Sequence, residues 1–230
     1  MTRQRRGQRS RTLKVEIWSD VVCPWCYIGK RRFETALARF DGAAEVEITW
    51  RAFQLNPDQP RGVRTTHDEY LATKMRAPLE QVRLMNARVT ALAAAEGLDY
   101  HFERYQVINT FDAHRVAHLG RTMGLGDAIQ ERLLRAQLVE GEVLDDPDTL
   151  ARLGEDVGLA GDEVRSVLAS DRFAAEVAAD LAEARMLGIG GVPFFVLDRR
   201  YGLSGAQPAE LFLQALETTR QDAAVAAGGS

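Results

Sequence analysis

Hydrophobic and polar positions divide this chain into two β-containing ends around a long helical middle. Near the N-terminus, residues 15–18 form an apolar run that predicts a buried strand. Residues 25–40 then carry an apolar stripe at helical spacing, and residues 46–51 alternate apolar and polar side chains with the period of a strand. The pattern therefore predicts a β-α-β order at this end.

The middle of the chain, from about residue 65 to residue 187, has helical periodicity almost throughout. An aromatic-rich segment at 99–105 interrupts it, and Gly124, Gly141 and Gly188 are placed to end individual helices. The predicted helices begin near Thr66 and then cover residues 112–123, 127–140, 148–157, 162–168 and 173–187.

The C-terminal end returns to strands. Residues 193–197 and 201–204 predict two strands joined by a tight turn, and a last helix is expected from after Pro208 to about Thr219. Because neither β-containing end is large enough to fold alone, we predict one α/β domain interrupted by helices. The predicted boundaries are a disordered basic tail at 1–12, a discontinuous α/β domain at 13–64 and 181–222, a helical insertion at 65–180 and a disordered tail at 223–230.

Composition and charge narrow the class of protein. With 46% hydrophobic and 27% charged residues, the chain has the composition of a soluble globular protein. The first twelve residues contain five arginines and no acid, which leaves 24 basic against 33 acidic side chains, or −9, in the rest. An acidic body argues against a nucleic-acid-binding groove. The basic tail is interpreted as a disordered extension or an upstream start.

Neither a secretory signal nor a membrane-spanning segment is expected. Lys14 and Glu16 interrupt the only apolar run that follows the basic tail. No run approaches the ~18 apolar residues of a transmembrane helix. We therefore expect a cytoplasmic protein that does not act at a membrane, in a compartment where thiols are mostly reduced.

The two cysteines lie at the junction of the first strand and the first helix, in the sequence Cys23-Pro24-Trp25-Cys26. The helix dipole and the unpaired N–H groups at a helix N-terminus favour a thiolate at Cys23. Pro24 suits the first helical turn because it has no N–H to leave unpaired. A thiolate at Cys23 can attack a disulfide, and Cys26, one turn away, can resolve the mixed disulfide. The pair predicts thiol–disulfide exchange.

Zinc binding and haem attachment are two other uses of such a pair. Zinc would need two more ligands, and His114 and His118, four residues apart, are the candidates. The gap of about 88 residues between Cys26 and His114 matches no zinc finger. Haem attachment is excluded because Tyr27 rather than a histidine follows Cys26. The sequence therefore predicts no metal site.

Three separated motifs resemble the DsbA family of thioredoxin-like proteins, and in detail its FrnE-like branch. They are Ser19-Asp20-Val21-Val22-Cys23-Pro24-Trp25-Cys26-Tyr27-Ile28-Gly29-Lys30, Asn109-Thr110-Phe111-Asp112-Ala113-His114-Arg115, and Gly191-Val192-Pro193-Phe194-Phe195-Val196 with Gly205-Ala206-Gln207-Pro208. Their order and spacing agree with the family over about residues 13–220. The resemblance implies a thioredoxin-like α/β fold with a large all-helical insertion.

The resemblance also implies a function and the parts of a site. It implies oxidoreductase or isomerase activity on a disulfide-containing protein or a small thiol, with no built-in cofactor and with glutathione as a candidate co-substrate. It implies a cis peptide bond between Val192 and Pro193, where the Val192 backbone offers an edge to a substrate chain. It places Asn109 and His114 on the part of the insertion that faces the cysteines.

Several of these residues have two interpretations. Pro24 and Trp25 are expected to tune the Cys23 thiolate and to contact substrate. Asp20 is either a proton acceptor for Cys26 or the cap of a turn. His114 and Asn109 are either substrate contacts or groups that form hydrogen bonds in the core.

Two other classes of function stay open. One is a glutathione-dependent isomerase or transferase, similar to kappa-class glutathione transferases and 2-hydroxychromene-2-carboxylate isomerases. Those proteins share the inserted fold but generally carry a serine in place of Cys23 and lack the second cysteine. The other is a non-catalytic binding or chaperone module with an apolar groove beside the dithiol. The helical insertion is compatible with a monomer or a homodimer.

Overall fold

The computed structural model of the protein describes residues 12–228, so the predicted tail at 1–12 lies outside the described residues except for Thr12. Its strands are β1 (Leu13–Ser19), β2 (Val46–Ala52), β3 (Thr65–Thr66), β4 (Gln106–Val107), β5 (Phe194–Leu197) and β6 (Tyr201–Ser204). Its helices are α1 (Pro24–Arg39), α2 (His67–Met75), α3 (Leu79–Ala95), α4 (Phe111–Thr122), α5 (Gly126–Arg135), α6 (Pro147–Glu155), α7 (Gly161–Leu168), α8 (Ala174–Met186) and α9 (Ala209–Gly228).

A four-stranded mixed sheet with the order β2-β1-β5-β6 forms the centre of the α/β domain. Strand β1 runs parallel to β2 with Val15 opposite Ile48, and β5 runs antiparallel to β1 with Phe195 opposite Ile17. The hairpin between β5 and β6 turns at residues 198–199, which both have positive φ. That geometry fits the right-handed twist of the two strands.

Helices cover both faces of this sheet. On one face, α1 and α9 enclose an aromatic cluster in which the rings of Phe33, Phe195 and Phe212 lie 4.5–5.6 Å apart. On the other face, Trp18 packs with Ala184 of α8. The alternation of β1 side chains supplies both faces, because neighbouring residues of a strand point to opposite sides. The predicted α/β architecture with inserted helices is confirmed.

The periodicity predicted helices almost throughout the insertion, but the insertion also contains a short two-stranded sheet. Strands β3 and β4 pair antiparallel with Thr65 opposite Val107, because the chain returns beside its own entry point and the backbone groups there need partners. Residues 136–140 continue α5 as one π-helical turn.

The predicted boundary at 180/181 falls inside α8, where the Asp180 carboxylate accepts a 2.9 Å hydrogen bond from the backbone amide of Ala52. Helix α8 therefore packs as a unit on the sheet.

The last helix continues beyond the predicted end at Thr219 and through the predicted tail as far as Gly228. The extra turns are rich in alanine, which has the highest helix propensity of all residues, so the helix can continue without tertiary support. Neither this helix nor any other within residues 12–228 combines the length and apolar character needed to cross a bilayer.

Candidate active site

Cys23 is the N-cap residue of α1, with extended backbone angles, and Pro24 occupies the first turn. The amide of Cys23 donates to the carbonyl of Asp20 at 3.0 Å, and the amide of Cys26 donates to the carbonyl of Cys23 at 3.0 Å. Both cysteines are free thiols. Trp25 is 39% exposed, the largest exposed fraction in this segment. The dithiol is therefore placed at the helix N-terminus that the sequence predicted.

The loop before β5 brings a backbone carbonyl to the Cys23 sulfur. The Val192–Pro193 peptide bond is cis, as the resemblance implied. The Cys23 Sγ–H donates to the Val192 carbonyl at 3.4 Å. Gly29 makes this approach possible, because a Cβ at this position would lie 2.9 Å from the Pro193 Cγ. The cysteine, the cis-proline loop and the glycine of α1 thus form one packed unit.

Both cysteines are buried, Cys23 with 3% and Cys26 with 1% of its surface exposed, and of the two only Cys23 lines the neighbouring cleft. Burial raises the pKa of the Cys26 thiol well above its ordinary value, and the Cys23 sulfur adds to the rise. A side-chain hydrogen bond with Ser19 and a backbone hydrogen bond with Asp20 act in the opposite direction. The Ser19 hydroxyl in turn accepts a 3.2 Å hydrogen bond from the side-chain amide nitrogen, Nε2, of Gln130. Cys26 is therefore held as a neutral thiol.

The Asp20 carboxylate is fully buried and has two protein partners. One oxygen accepts from the amide of Leu55 at 2.8 Å, and the other lies 3.3 Å from His114 Nε2. His114 Nε2 also lies 2.8 Å from the Phe53 carbonyl, so this nitrogen carries the proton and donates to both oxygens. His114 is 2% exposed, and its side chain forms hydrogen bonds in the core, which was the second of its two interpretations. A substrate contact by His114 and a proton-acceptor role for Asp20 stay predictions that this placement disfavours.

Asn109 has the same kind of structural arrangement. Its amide nitrogen donates to the Gln59 carbonyl at 2.6 Å, and its side-chain oxygen accepts from the amide of Phe111 at 2.9 Å. These bonds tie the start of α4 to the loop after β2. Both of its polar groups are occupied within the protein, so a role of Asn109 in substrate binding stays a prediction.

Two tyrosines that the motifs did not identify fix the backbone around the dithiol. The Tyr100 hydroxyl donates to the Pro24 carbonyl at 2.6 Å, and the Tyr105 hydroxyl donates to the Val22 carbonyl. Burial raises the pKa of both hydroxyls, and the charge of a Cys23 thiolate would raise it further, so both stay donors. The aromatic-rich break at 99–105 was the sequence signal for this contact.

An apolar cleft of about 360 Å³ opens beside Cys23, between the dithiol and helices α2 and α3. Trp25 and Val192 belong to the wall formed by the α/β domain, and Met85, Phe102 and Ile108 belong to the wall formed by the insertion. A cleft of this size and character is typical of small-ligand sites. Among the predicted substrate-binding residues, Pro24, Trp25 and Val192 line the cleft.

His67, which also lines the cleft, is expected to make stability depend on pH. Burial lowers the pKa of His67 from 6.5 to about 4, although the charge of Asp68 opposes this shift. The imidazole of His67 therefore binds a proton more tightly in the unfolded chain than in the folded protein. The contribution of neutral His67 to folding stability is complete above about pH 6.5 and is lost as the pH falls towards 4. We expect the free energy of unfolding to fall by about 3 kcal/mol over this range from this group.

Urea denaturation at a series of pH values measures this effect. The control is His67→Phe, which keeps an aromatic ring between Phe102 and Tyr105, whose ring centroids lie 4.8 and 4.6 Å from that of His67. Its stability is expected to depend much less on pH between 6.5 and 4. Equal slopes for the two proteins would contradict the assignment.

The histidines considered as zinc ligands bind carboxylates instead. His114 contacts Asp20, and His118 Nε2 lies 2.9 Å from Asp180 Oδ2. Within residues 12–228, no three or more His, Cys, Asp or Glu side chains are grouped so that they could hold a metal ion. The cysteines thus remain available for thiol chemistry.

A dithiol at a helix N-terminus, next to a cis-proline loop on a mixed sheet with inserted helices, defines the thioredoxin-like class of thiol–disulfide oxidoreductases. Residues 14–217 match the model of the DSBA-like thioredoxin domain, and the chain belongs to this family. DsbA-like oxidoreductases generally need no cofactor, in agreement with the sequence-based prediction.

Solved structures agree with this assignment. A probable DsbA oxidoreductase from Streptomyces coelicolor is 43% identical, with a TM-score of 0.87 over 90% of this chain and 89% of that one. The cytosolic disulfide reductase DsbM from Pseudomonas aeruginosa with GSH shares the fold at 20% identity and a TM-score of 0.63, covering 90% and 99% of the two chains. A 2-hydroxychromene-2-carboxylate isomerase shares it at 15% identity and a TM-score of 0.67, covering 92% and 98%.

Proposed function

We propose that this protein catalyses thiol–disulfide exchange, including disulfide isomerisation, with Cys23 as the nucleophile and Cys26 as the resolving thiol. The single observation that carries the proposal is the placement of the Cys23 sulfur. It lies at the N-terminus of α1, 3.4 Å from the Val192 carbonyl and beside an open cleft, with Cys26 buried behind it. The positive end of the α1 helix dipole at that position favours the thiolate that the reaction needs.

Reduction of a substrate disulfide follows from this arrangement in two balanced steps. The Cys23 thiolate attacks one substrate sulfur, forms a mixed disulfide and expels the other substrate sulfur as a thiolate. Cys26 then loses its proton and attacks the Cys23 sulfur, which forms the Cys23–Cys26 disulfide and releases the second substrate thiol. Two electrons pass from the protein to the substrate. Isomerisation uses the first step and its reversal at a different substrate sulfur.

The Val192 carbonyl links ionisation of Cys23 to substrate binding. In the dithiol form, this carbonyl accepts a hydrogen bond from the Cys23 thiol. The hydrogen bond is lost when Cys23 becomes a thiolate, because the donated proton is gone. The carbonyl is then free to accept a hydrogen bond from an extended substrate next to the attacking sulfur. Half-buried Pro24 and exposed Trp25 form the adjacent contact surface.

A glutathione-dependent isomerase or transferase is less well supported, because such an activity does not require the buried second thiol. The three sequence motifs support membership of the FrnE-like branch, and we propose action in the cytoplasm, where a Cys-X-X-Cys pair is more often catalytic than structural. Glutathione is the proposed source or acceptor of electrons.

Titration through a series of glutathione redox buffers tests the proposal. We expect a reversible two-electron transition in tryptophan fluorescence, since Trp25 lies between the cysteines. The midpoint is expected between about −270 and −120 mV, the range that separates reductases from oxidants in this superfamily. The double variant Cys23→Ser, Cys26→Ser, which can form neither the internal disulfide nor a mixed disulfide with glutathione, is the control and should show no such transition. A featureless titration of the unmodified protein, with both thiols open to alkylation, would overturn the proposal.

A further inference from the structure

We propose that the cleft beside Cys23 binds a low-molecular-weight thiol or disulfide that has an apolar, planar body and one anionic group. The inference rests on the proposed thiol–disulfide exchange and specifies its substrate class. Three features of the cleft carry it: apolar walls, one cation at the mouth, and the lack of a free carboxylate among its lining residues.

The walls are built for an apolar group of limited size. Aromatic and aliphatic side chains from both parts of the chain form most of the lining, among them Trp25, Tyr70, Leu71, Met85, Phe102 and Val192. A volume of about 360 Å³ lies near the lower end of the range of small-molecule sites. The lining includes an aromatic ring from each wall, Trp25 from the α/β domain and Phe102 from the insertion, and aromatic rings favour a planar ligand that can stack on them.

Among residues 12–228, Lys74 is the only lysine or arginine that lines the cleft. Its Nζ donates to the Tyr70 hydroxyl at 3.0 Å and lies 5.2 Å from the centroid of the Tyr70 ring. No carboxylate within residues 12–228 is in salt-bridge range of this ammonium group, although most other cationic side chains of the insertion have such a partner. An anionic ligand would therefore find an uncompensated positive charge at the mouth.

The polar groups deeper in the cleft leave no second charged group free to pair with a ligand. His67 Nδ1 lies 3.2 Å from the amide nitrogen of Asn86, which donates to it, so the imidazole is neutral and protonated at Nε2. Asp20 is the only carboxylate of the lining within the part of the chain that the structure describes, and both of its oxygens have protein partners. Glutathione carries two carboxylates and an ammonium group, and this cleft leaves most of those charges unpaired.

The chemistry of the inferred substrate is the balanced exchange given above. For a disulfide, Cys23 bonds to the sulfur of the apolar half, the other half leaves as a thiolate, and Cys26 then releases the apolar thiol. The protein disulfide that forms is reduced by two equivalents of a low-molecular-weight thiol, which become its disulfide. Each cycle thus consumes two thiols for every substrate disulfide reduced.

The experiment compares three disulfides in single-turnover reactions with the fully reduced protein. Dithiobis(nitrobenzoate) is aromatic and anionic, dithiodipyridine is aromatic and neutral, and oxidised glutathione is polar. Each rate constant is divided by that of the same disulfide with dithiothreitol, which removes differences in leaving-group reactivity. We expect the normalised rate for dithiobis(nitrobenzoate) to exceed that for oxidised glutathione by about tenfold or more.

Variants separate the contribution of charge from that of the apolar walls. Lys74→Met is expected to lower the ratio of the anionic to the neutral aromatic rate about threefold, and Lys74→Arg to restore it. Met85→Gln is expected to lower both aromatic rates relative to oxidised glutathione. Leu84→Gln is the matched control, since Leu84 is its neighbour in α3, is 61% exposed and does not line the cleft. It should change none of the ratios.

The outcomes distinguish this inference from the proposed function. Equal normalised rates for all three disulfides, unchanged in the variants of Lys74 and Met85, would overturn the substrate class while leaving thiol–disulfide exchange intact. Lack of reaction with every disulfide would overturn thiol–disulfide exchange, and the substrate class with it. A preference for oxidised glutathione would assign the cleft to a polar substrate and contradict the inference.

Discussion

Substitution of Cys23 by serine is expected to lower the rate of disulfide reduction by at least about a thousandfold, because the variant lacks both the nucleophile of the first step and the sulfur that Cys26 attacks in the second. Cys26→Ser is expected to behave differently. This variant keeps the attacking sulfur of Cys23 but cannot resolve the mixed disulfide. It should therefore react once and keep one thiol half of the substrate disulfide bonded to Cys23. Intact-protein mass spectrometry after mixing with excess disulfide measures both results.

The two variants control each other, since they make the same chemical change three positions apart in α1. The adduct should appear in Cys26→Ser and be absent from Cys23→Ser. The reverse pattern would exchange the roles of the two cysteines. Activity that survives the double substitution would instead point to a binding module that does not use the dithiol.

Asp180→Ala is expected to destabilise the fold by about 3–5 kcal/mol, the range found when one partner of a buried ion pair is removed. Asp180 is 1% exposed. Its carboxylate accepts from Arg51 and from the amide of Ala52, each at 2.9 Å, and lies 2.9 Å from His118 Nε2. The substitution removes an acceptor from the buried Ala52 amide and the buried His118 ring, and one carboxylate partner from half-buried Arg51, between α8, β2 and α4.

Chemical denaturation of the purified variant measures this loss. Glu176→Ala is the matched control, because Glu176 is exposed and lies one turn earlier in the same helix. It is expected to change stability by no more than about 1 kcal/mol. If both variants lost the same small amount, the carboxylate of Asp180 would not be a link between the insertion and the sheet.

The same carboxylate contributes to acid sensitivity. Burial raises the pKa of Asp180, but His118, the amide of Ala52 and Arg51 together bring it below its ordinary value. A lowered folded pKa means that the stabilisation is complete above the unfolded value of about 4 and is lost as the pH falls further. Asp180→Ala is therefore expected to lose less stability than the unmodified protein below about pH 4.

Local pattern was sufficient for the elements that position the dithiol. Residues 25–40 predicted α1 to within one residue at each end, and Pro24 marked its first turn. Strands β1, β2, β5 and β6 were predicted from alternation and turn residues. The errors occurred where local pattern is weak, at the two-residue strands β3 and β4 and at the alanine-rich end of α9.

Interactions between distant segments account for what the sequence did not predict at the site. Tyr100 and Tyr105 bond to carbonyls about 80 residues earlier in the chain, and their spacing carries no mark of that pairing. His114 was predicted to face either substrate or the core, and the choice depended on where α4 lies relative to Asp20.

The sequence by itself predicted a dithiol between a strand and a helix and an insertion of helices, because these features depend on neighbouring residues and on backbone preferences. The proline loop beside the dithiol was implied only by the family resemblance, because its approach to Cys23 joins residues 169 positions apart. Only the tertiary structure decided which groups surround the sulfur atoms. The apolar cleft, a Lys74 ammonium group without a carboxylate partner among residues 12–228, and the occupied carboxylate of Asp20 arise from packing between the insertion and the α/β domain, where each contact depends on several segments at once.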